Sequence, residues 1–261
     1  MGNRTLAALV RWTVLRPTAL DRDALPLPRY GPVYRAFTVV AAVWGTVVLA
    51  LGLAGEIVRL PILEETARNL YFHLPMWLVL FLGSVVGAWH AARFLATGRR
   101  IHDVRSAEAW TVATAFGVVA FVTGVLWGRF TWYAGTDVWW SGDPRQVMVA
   151  VQLLIAGAYF VLRGGIDEPR RRGRLSAVYA LFATVTLPFL IYVLPRRMSS
   201  LHPGTEGNPA FSEMDIAPQM RWVLYSALIG FSLVAWWLYT QRVRAAVAEL
   251  RLARRRADAD L

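Results

Sequence analysis

Six apolar runs, each near the twenty residues that cross a hydrocarbon core of about 30 Å, constrain this chain more than any other feature. The first spans about Ala36–Gly55. The second is entered through Ala67–Pro75 and ends near Leu95. The others cover about Ala109–Leu126, Val147–Leu162, Leu175–Leu194 and Trp222–Tyr239. Backbone N–H and C=O groups inside lipid must bond within their own segment, and runs of this length do so as α-helices. The expected fold is therefore an all-α polytopic membrane protein with six transmembrane helices. The first run begins well inside the chain, so no cleavable signal peptide is expected and the first helix serves as the insertion signal.

Charge sets the expected orientation. All 28 basic residues are arginine and the net charge is +11. The terminal segments and the loops after the second and fourth runs carry 21 arginines against 9 acids, a net +12. The other three loops carry 7 against 8, a net −1. By the positive-inside rule the +12 side is cytoplasmic, which puts both termini there and three loops outside. The basic excess is thus a topology signal directed at anionic lipid headgroups in the bilayer, and no nucleic-acid partner is expected. Three regions follow: a cytoplasmic segment over 1–35, a six-helix membrane domain over 36–240, and a cytoplasmic helix or tail over 241–261. Within the first, Leu6–Leu15 reads either as a short surface amphipathic helix or as a disordered tail.

Cysteine is absent. That excludes disulfides, thiolate metal sites and covalent haem attachment through a Cys-x-x-Cys-His motif. The four histidines are the remaining candidate ligands. His73 falls near the outer boundary of the second span. His90, 17 residues on, lies about 25 Å deeper at 1.5 Å per residue, so the two cannot grip one ligand from opposite sides. His90 is expected at the inner edge and His102 in the next cytoplasmic loop, leaving no matched inner pair.

The stretch 127–145, between the third and fourth runs, is expected to be an external loop. It packs four tryptophans, a tyrosine and a phenylalanine into nineteen residues. Two readings stand for these rings. Tryptophan suits a membrane–water interface, because its body is apolar and its N–H seeks a wet partner. The same rings also suit the faces of a flat apolar ligand, with Arg129 and Arg145 at its anionic edge. The third outer loop adds His202 with Arg196 and Arg197. Two neutral imidazoles at one membrane level could clamp a porphyrin iron from both faces. Asp143 and Arg145 admit a plainer role as an ion pair closing the loop and capping the fourth helix. Arg196 and Arg197 read either as interfacial anchors or as partners of carboxylates on such a ligand.

These residues carry a resemblance. Trp127-Gly128, Trp132, Trp139-Trp140 and Asp143-Pro144-Arg145 resemble the tryptophan-rich WWD segment of the haem-handling CcmC/CcsA proteins of cytochrome c biogenesis. The CcmC family, haem exporter protein C, is the better match, since the larger CcsA-type relatives use additional helices and further intramembrane histidines. The similarity extends to Tyr71–Pro75, Val122-Thr123-Gly124, Leu187-Pro188 and Leu201-His202-Pro203-Gly204. In this chain the tryptophan-rich segment is longer than the family's usual spacing, with Ser141-Gly142 between Trp140 and Asp143.

The resemblance implies that His73 and His202 are external haem ligands and that the aromatic loop is a platform for non-covalently held haem b. It implies a task, presenting haem at the outer face of the bacterial inner membrane to the haem chaperone CcmE for delivery to apocytochrome c. It also implies further partners, the ATP-binding-cassette pair CcmA/CcmB and the small subunit CcmD. Two other functions compete with haem transfer: a b-type cytochrome carrying electrons, and a scaffold subunit that binds no haem. The chain shows no phosphate loop, nucleophile–base pair or metal cluster, so no self-contained enzyme is expected.

Overall fold

The computed structural model describes Leu25 and residues 31–59, 63–200 and 216–259. The expected helix at Leu6–Leu15, and His202 with its Leu201–Gly204 motif, lie outside the described residues. Those described are all-α, with six helices long and apolar enough to cross a membrane. We number them α1 (Pro32–Ala54), α2 (Leu70–Thr97), α3 (Arg100–Phe130), α4 (Pro144–Gly164), α5 (Pro169–Pro188) and α6 (Pro218–Ala259). A 3-10 turn, Glu65–Asn69, leads into α2. Beyond Pro188, α5 continues as a π-helical turn, Phe189–Val193, and a 3-10 turn, Pro195–Arg197. A proline inside a helix removes one donor and crowds the preceding turn. Here that expected distortion takes the form of the wider π-turn.

The helices run past the apolar runs that define them. α3 starts at Arg100, so only Gly98 and Arg99 separate it from α2. Gly98 adopts a left-handed conformation with φ 67° and donates its N–H to the Phe94 carbonyl, a reversal that suits glycine. His102 is therefore helical and buried, not a residue of a cytoplasmic loop as its place between two apolar runs suggested. The reason is tertiary. Ile101 and Val104 pack with Val243 and Val247 of α6, which continues unbroken to Ala259. At 1.5 Å per residue, 42 residues reach about 63 Å, roughly twice a hydrocarbon core.

The most extensive helix interface joins α2 and α3, and small residues set its closeness. A Cβ added at Gly87 would lie 2.6 Å from the Trp110 ring. Lipid tails are as apolar as leucine, so helices associate through such close packing and through interhelical hydrogen bonds. Ser106 Oγ donates to the Gly87 carbonyl at 2.9 Å, and Gln152 Nε2 donates to the Ala183 carbonyl at 3.2 Å. Charge pairs tie the arginine-rich end. Arg163 of α4 grips Asp103 of α3 through two hydrogen bonds of 2.7 and 2.9 Å, and Arg242 of α6 meets Glu108 of α3 at 2.7 Å. The opposite end carries the tryptophan-rich segment.

Candidate functional site

His73 sits in the first turns of α2 and is buried, at 9% exposure. Its Nε2 accepts the indole N–H of Trp77, one turn further along the helix, at 3.0 Å. Its Nδ1 lies 3.1 Å from the Thr123 hydroxyl of α3. Indole N–H is a donor only, so Nε2 is the unprotonated nitrogen and Nδ1 carries the proton toward Thr123. The Thr123 hydroxyl in turn donates within its own helix, to the carbonyls of Val119 and Ala120 at 2.9 and 3.0 Å. The imidazole is thus held in one tautomer. Gly124 makes this approach possible, since a Cβ there would stand 2.8 Å from His73 Cε1.

Trp77 and Trp127 both flank this imidazole, and Trp132 extends the ring cluster beyond Trp127. Trp127 meets the imidazole edge-on at a centroid distance of 5.9 Å, and Trp132 stands 6.3 Å from Trp127. Trp127 Nε1 donates to the Thr66 hydroxyl at 3.1 Å, tying α3 to the turn that enters α2. The expected loop 127–145 is shorter than its composition suggested. Trp127–Phe130 form the last turn of α3, and Pro144 and Arg145 the first of α4. Trp127 and Gly128 are buried in helix packing, so the pattern that marked them as loop residues came from the rings and not the backbone.

The irregular part, 131–143, is closed by its own polar groups. Gly135 and Gly142 take positive φ angles, 78° and 69°, where other residues are strained. Thr131 Oγ1 donates to the Trp127 carbonyl at 2.6 Å, and Ser141 Oγ donates to Gln146 Oε1 at 2.8 Å. Asp143 caps α4, accepting the Arg145 backbone N–H on Oδ1 at 2.8 Å. The capping half of the plainer reading therefore holds. Asp143 Oδ2 also accepts the Ser200 hydroxyl at 2.7 Å, drawing the segment after α5 onto the tryptophan-rich segment.

The remaining candidates divide by location. Trp139 and Trp140 are half exposed, at 54% and 50%. Trp139 lies under the Arg129 guanidinium at 5.4 Å, and Trp140 against Phe121 of α3 at 6.1 Å. Arg129 is further pinned by a 3.1 Å bond to the Tyr133 carbonyl. Arg196 covers the Tyr192 ring at 4.1 Å and stands within electrostatic reach of Arg145. Arg197 ends the 3-10 turn beside it. Arg145 thus has both the Arg196 guanidinium and the Asp143 carboxylate within electrostatic reach, and paired guanidinium groups suit the carboxylates of a ligand.

Sequence reasoning missed Trp77 and Thr66, although Trp77 is four residues beyond His73 and so on the same helix face. It also missed an inner pair. His90 and His102 meet through their Nδ1 atoms at 3.1 Å, with rings inclined at 25°. Gly98 and Arg99 turn the chain so tightly that residues twelve apart become partners. Two axial imidazoles on a haem iron stand on opposite faces of the porphyrin, whereas these rings touch each other directly, so in this arrangement they do not flank a second haem. Among the described residues no group of three or more His, Asp or Glu side chains could hold a metal ion.

A family model described as CcmC, Heme exporter protein C, matches residues 27–258. Heme exporter protein C of Bradyrhizobium diazoefficiens is 30% identical over 126 residues, which is 48% of this chain and 46% of that protein. The Escherichia coli K12 protein of the same name is 28% identical over 179 residues, covering 68% of this chain and 69% of the relative. The chain thus aligns with under half the length of the first relative and about two thirds of the second.

Proposed function

The chain belongs to the heme exporter protein C family, and from that premise we propose that it binds haem non-covalently and passes it on during cytochrome c biogenesis. His73 and His202 are the axial ligands, and the cargo lies at the tryptophan-rich end of the bundle, facing outward from the bacterial inner membrane. The observation that carries this reading is the state of His73. It is a buried imidazole with its Nδ1 held 3.1 Å from the Thr123 hydroxyl and Trp127 at its flank. A second partner on the non-ligating nitrogen fixes ring orientation and raises the basicity of the other nitrogen, as ligand histidines generally require. Trp127 and Trp132 supply apolar cover near the iron position. Trp139 and Trp140 form the exposed side against which an acceptor can dock. Arg145, Arg196 and Arg197 pair the propionates.

Such a protein is a carrier and not an enzyme. Its acceptor is a haem chaperone of the CcmE kind, and CcmA/CcmB with CcmD are its membrane partners. A carrier must release what it binds, so the site is open on one side. The test is a transfer assay with haem-loaded protein in oriented vesicles. Apomyoglobin added only at the tryptophan-rich face is expected to remove the haem. Removal only from the arginine-rich face would refute the outward-facing site.

A further inference from the structure

His73 Nε2 is the nitrogen that the Thr123 contact leaves available for a metal, yet its lone pair already accepts the Trp77 indole N–H at 3.0 Å. One lone pair cannot serve both. We propose that Trp77 is a latch on the His73 ligand: its indole N–H caps Nε2 in the haem-free protein and must swing away before that nitrogen can take an iron. The proposal rests on the reading of His73 as an axial ligand and adds what opposes ligation.

The chain of donors makes the latch directional. Trp77 can only donate, so it selects the tautomer with Nε2 unprotonated, which is the tautomer a metal needs. The proton on Nδ1 then has a fixed acceptor in Thr123, whose hydroxyl proton is committed to α3 carbonyls. Trp77 therefore presets the ligand while occupying it. The geometry allows release. Trp77 is only partly buried, packed against the cluster of Leu80, Ala113 and Leu187 that Ile191 of the π-turn also joins. An indole freed from His73 near a membrane boundary finds water or a headgroup as its new acceptor. The energy to be recovered is one neutral hydrogen bond. That is enough to weaken haem binding severalfold without preventing it, which suits a site whose cargo must leave.

Two measurements test the latch. In haem-free protein with 15N-labelled tryptophan, the Trp77 indole resonance is identified by its disappearance in Trp77→Phe. It should shift in His73→Ala and again when haem is added to wild type. An indole resonance indifferent to His73→Ala would overturn the latch without reference to haem. In haem titrations, Trp77→Phe and Trp77→Leu should both bind about three- to tenfold more tightly, with slower loss to apomyoglobin, given a net hydrogen bond of about 1 kcal/mol. Equal or weaker binding in both folded variants, with binding weakened in His73→Ala, would overturn the latch alone. Haem bound by His73→Ala as tightly as by wild type would overturn the ligand reading and the latch with it.

Discussion

Ser200 donates its hydroxyl to Asp143 across 57 residues of sequence, at 2.7 Å, and the same carboxylate caps α4 through the Arg145 N–H. One side chain thus fastens the segment that leads toward His202 to the tryptophan-rich segment. Each oxygen has a separate task, so the two can be separated by substitution.

Asp143→Ala removes both contacts. An N-cap aspartate is worth about 1 kcal/mol, and loss of the Ser200 tie adds to it. The variant should melt several degrees below wild type in detergent, and Ser200→Ala should move the melting temperature less, in the same direction. An unchanged melting curve for Asp143→Ala would show that neither contact contributes.

Gly124→Ala tests the fit around the imidazole. The new methyl group would lie 2.8 Å from His73 Cε1, so the ring must leave its position between Thr123 and Trp77. Over-packing costs roughly 1–3 kcal/mol, and haem affinity should fall about tenfold or more while helicity persists. Gly157→Ala, in α4 with open space around it, is the control and should bind as wild type. Normal affinity in Gly124→Ala would mean that His73 has no need of its present pose.

Asp103 and Arg163 answer a different question, at the far end of the bundle. Their side chains are mostly buried, and removing one partner strands the other charge. Asp103→Asn should destabilise the protein by about 3 kcal/mol, yet leave the haem spectrum of folded material unchanged. A changed spectrum would contradict a haem site confined to the tryptophan-rich end.

Glu168 should give the chain a specific acid sensitivity. Its carboxylate accepts the backbone N–H groups of Arg170 and Arg171 at the start of α5, which holds it below the ordinary carboxylate range. A depressed folded value means that the contribution is complete above the unfolded value and fades as pH falls through the folded one. The melting temperature of wild type should therefore drop more steeply in that acid window than that of Glu168→Gln. Parallel pH profiles would exclude the cap as the cause.

The six spans were legible because lipid thickness sets a length that hydropathy reveals directly. Helix ends were not. The stretch between Leu95 and Ala109 read as a cytoplasmic loop, but α6 extends beyond the apolar run and buries Ile101 and Val104. His90 and His102 looked unrelated for the same reason, since their contact depends on the Gly98 reversal. His73, Trp127 and Trp132 were legible as a group from composition and position, and Trp127 meets each of the other two. Trp139 and Trp140 belong to the same segment but lie against Arg129 and Phe121, a division that no spacing along the chain encodes. Trp77 was written in the sequence at one helical turn from His73, hidden among ordinary apolar neighbours.

The central claim is that His73 and His202 together hold one haem. The direct measurement is the visible spectrum of protein purified in mild detergent, beside His73→Ala and His202→Ala. The account predicts a sharp Soret band with low-spin reduced peaks in wild type, weakened in each single variant. A wild type that stays colourless after haem addition, or variants that both retain the full band, would contradict it.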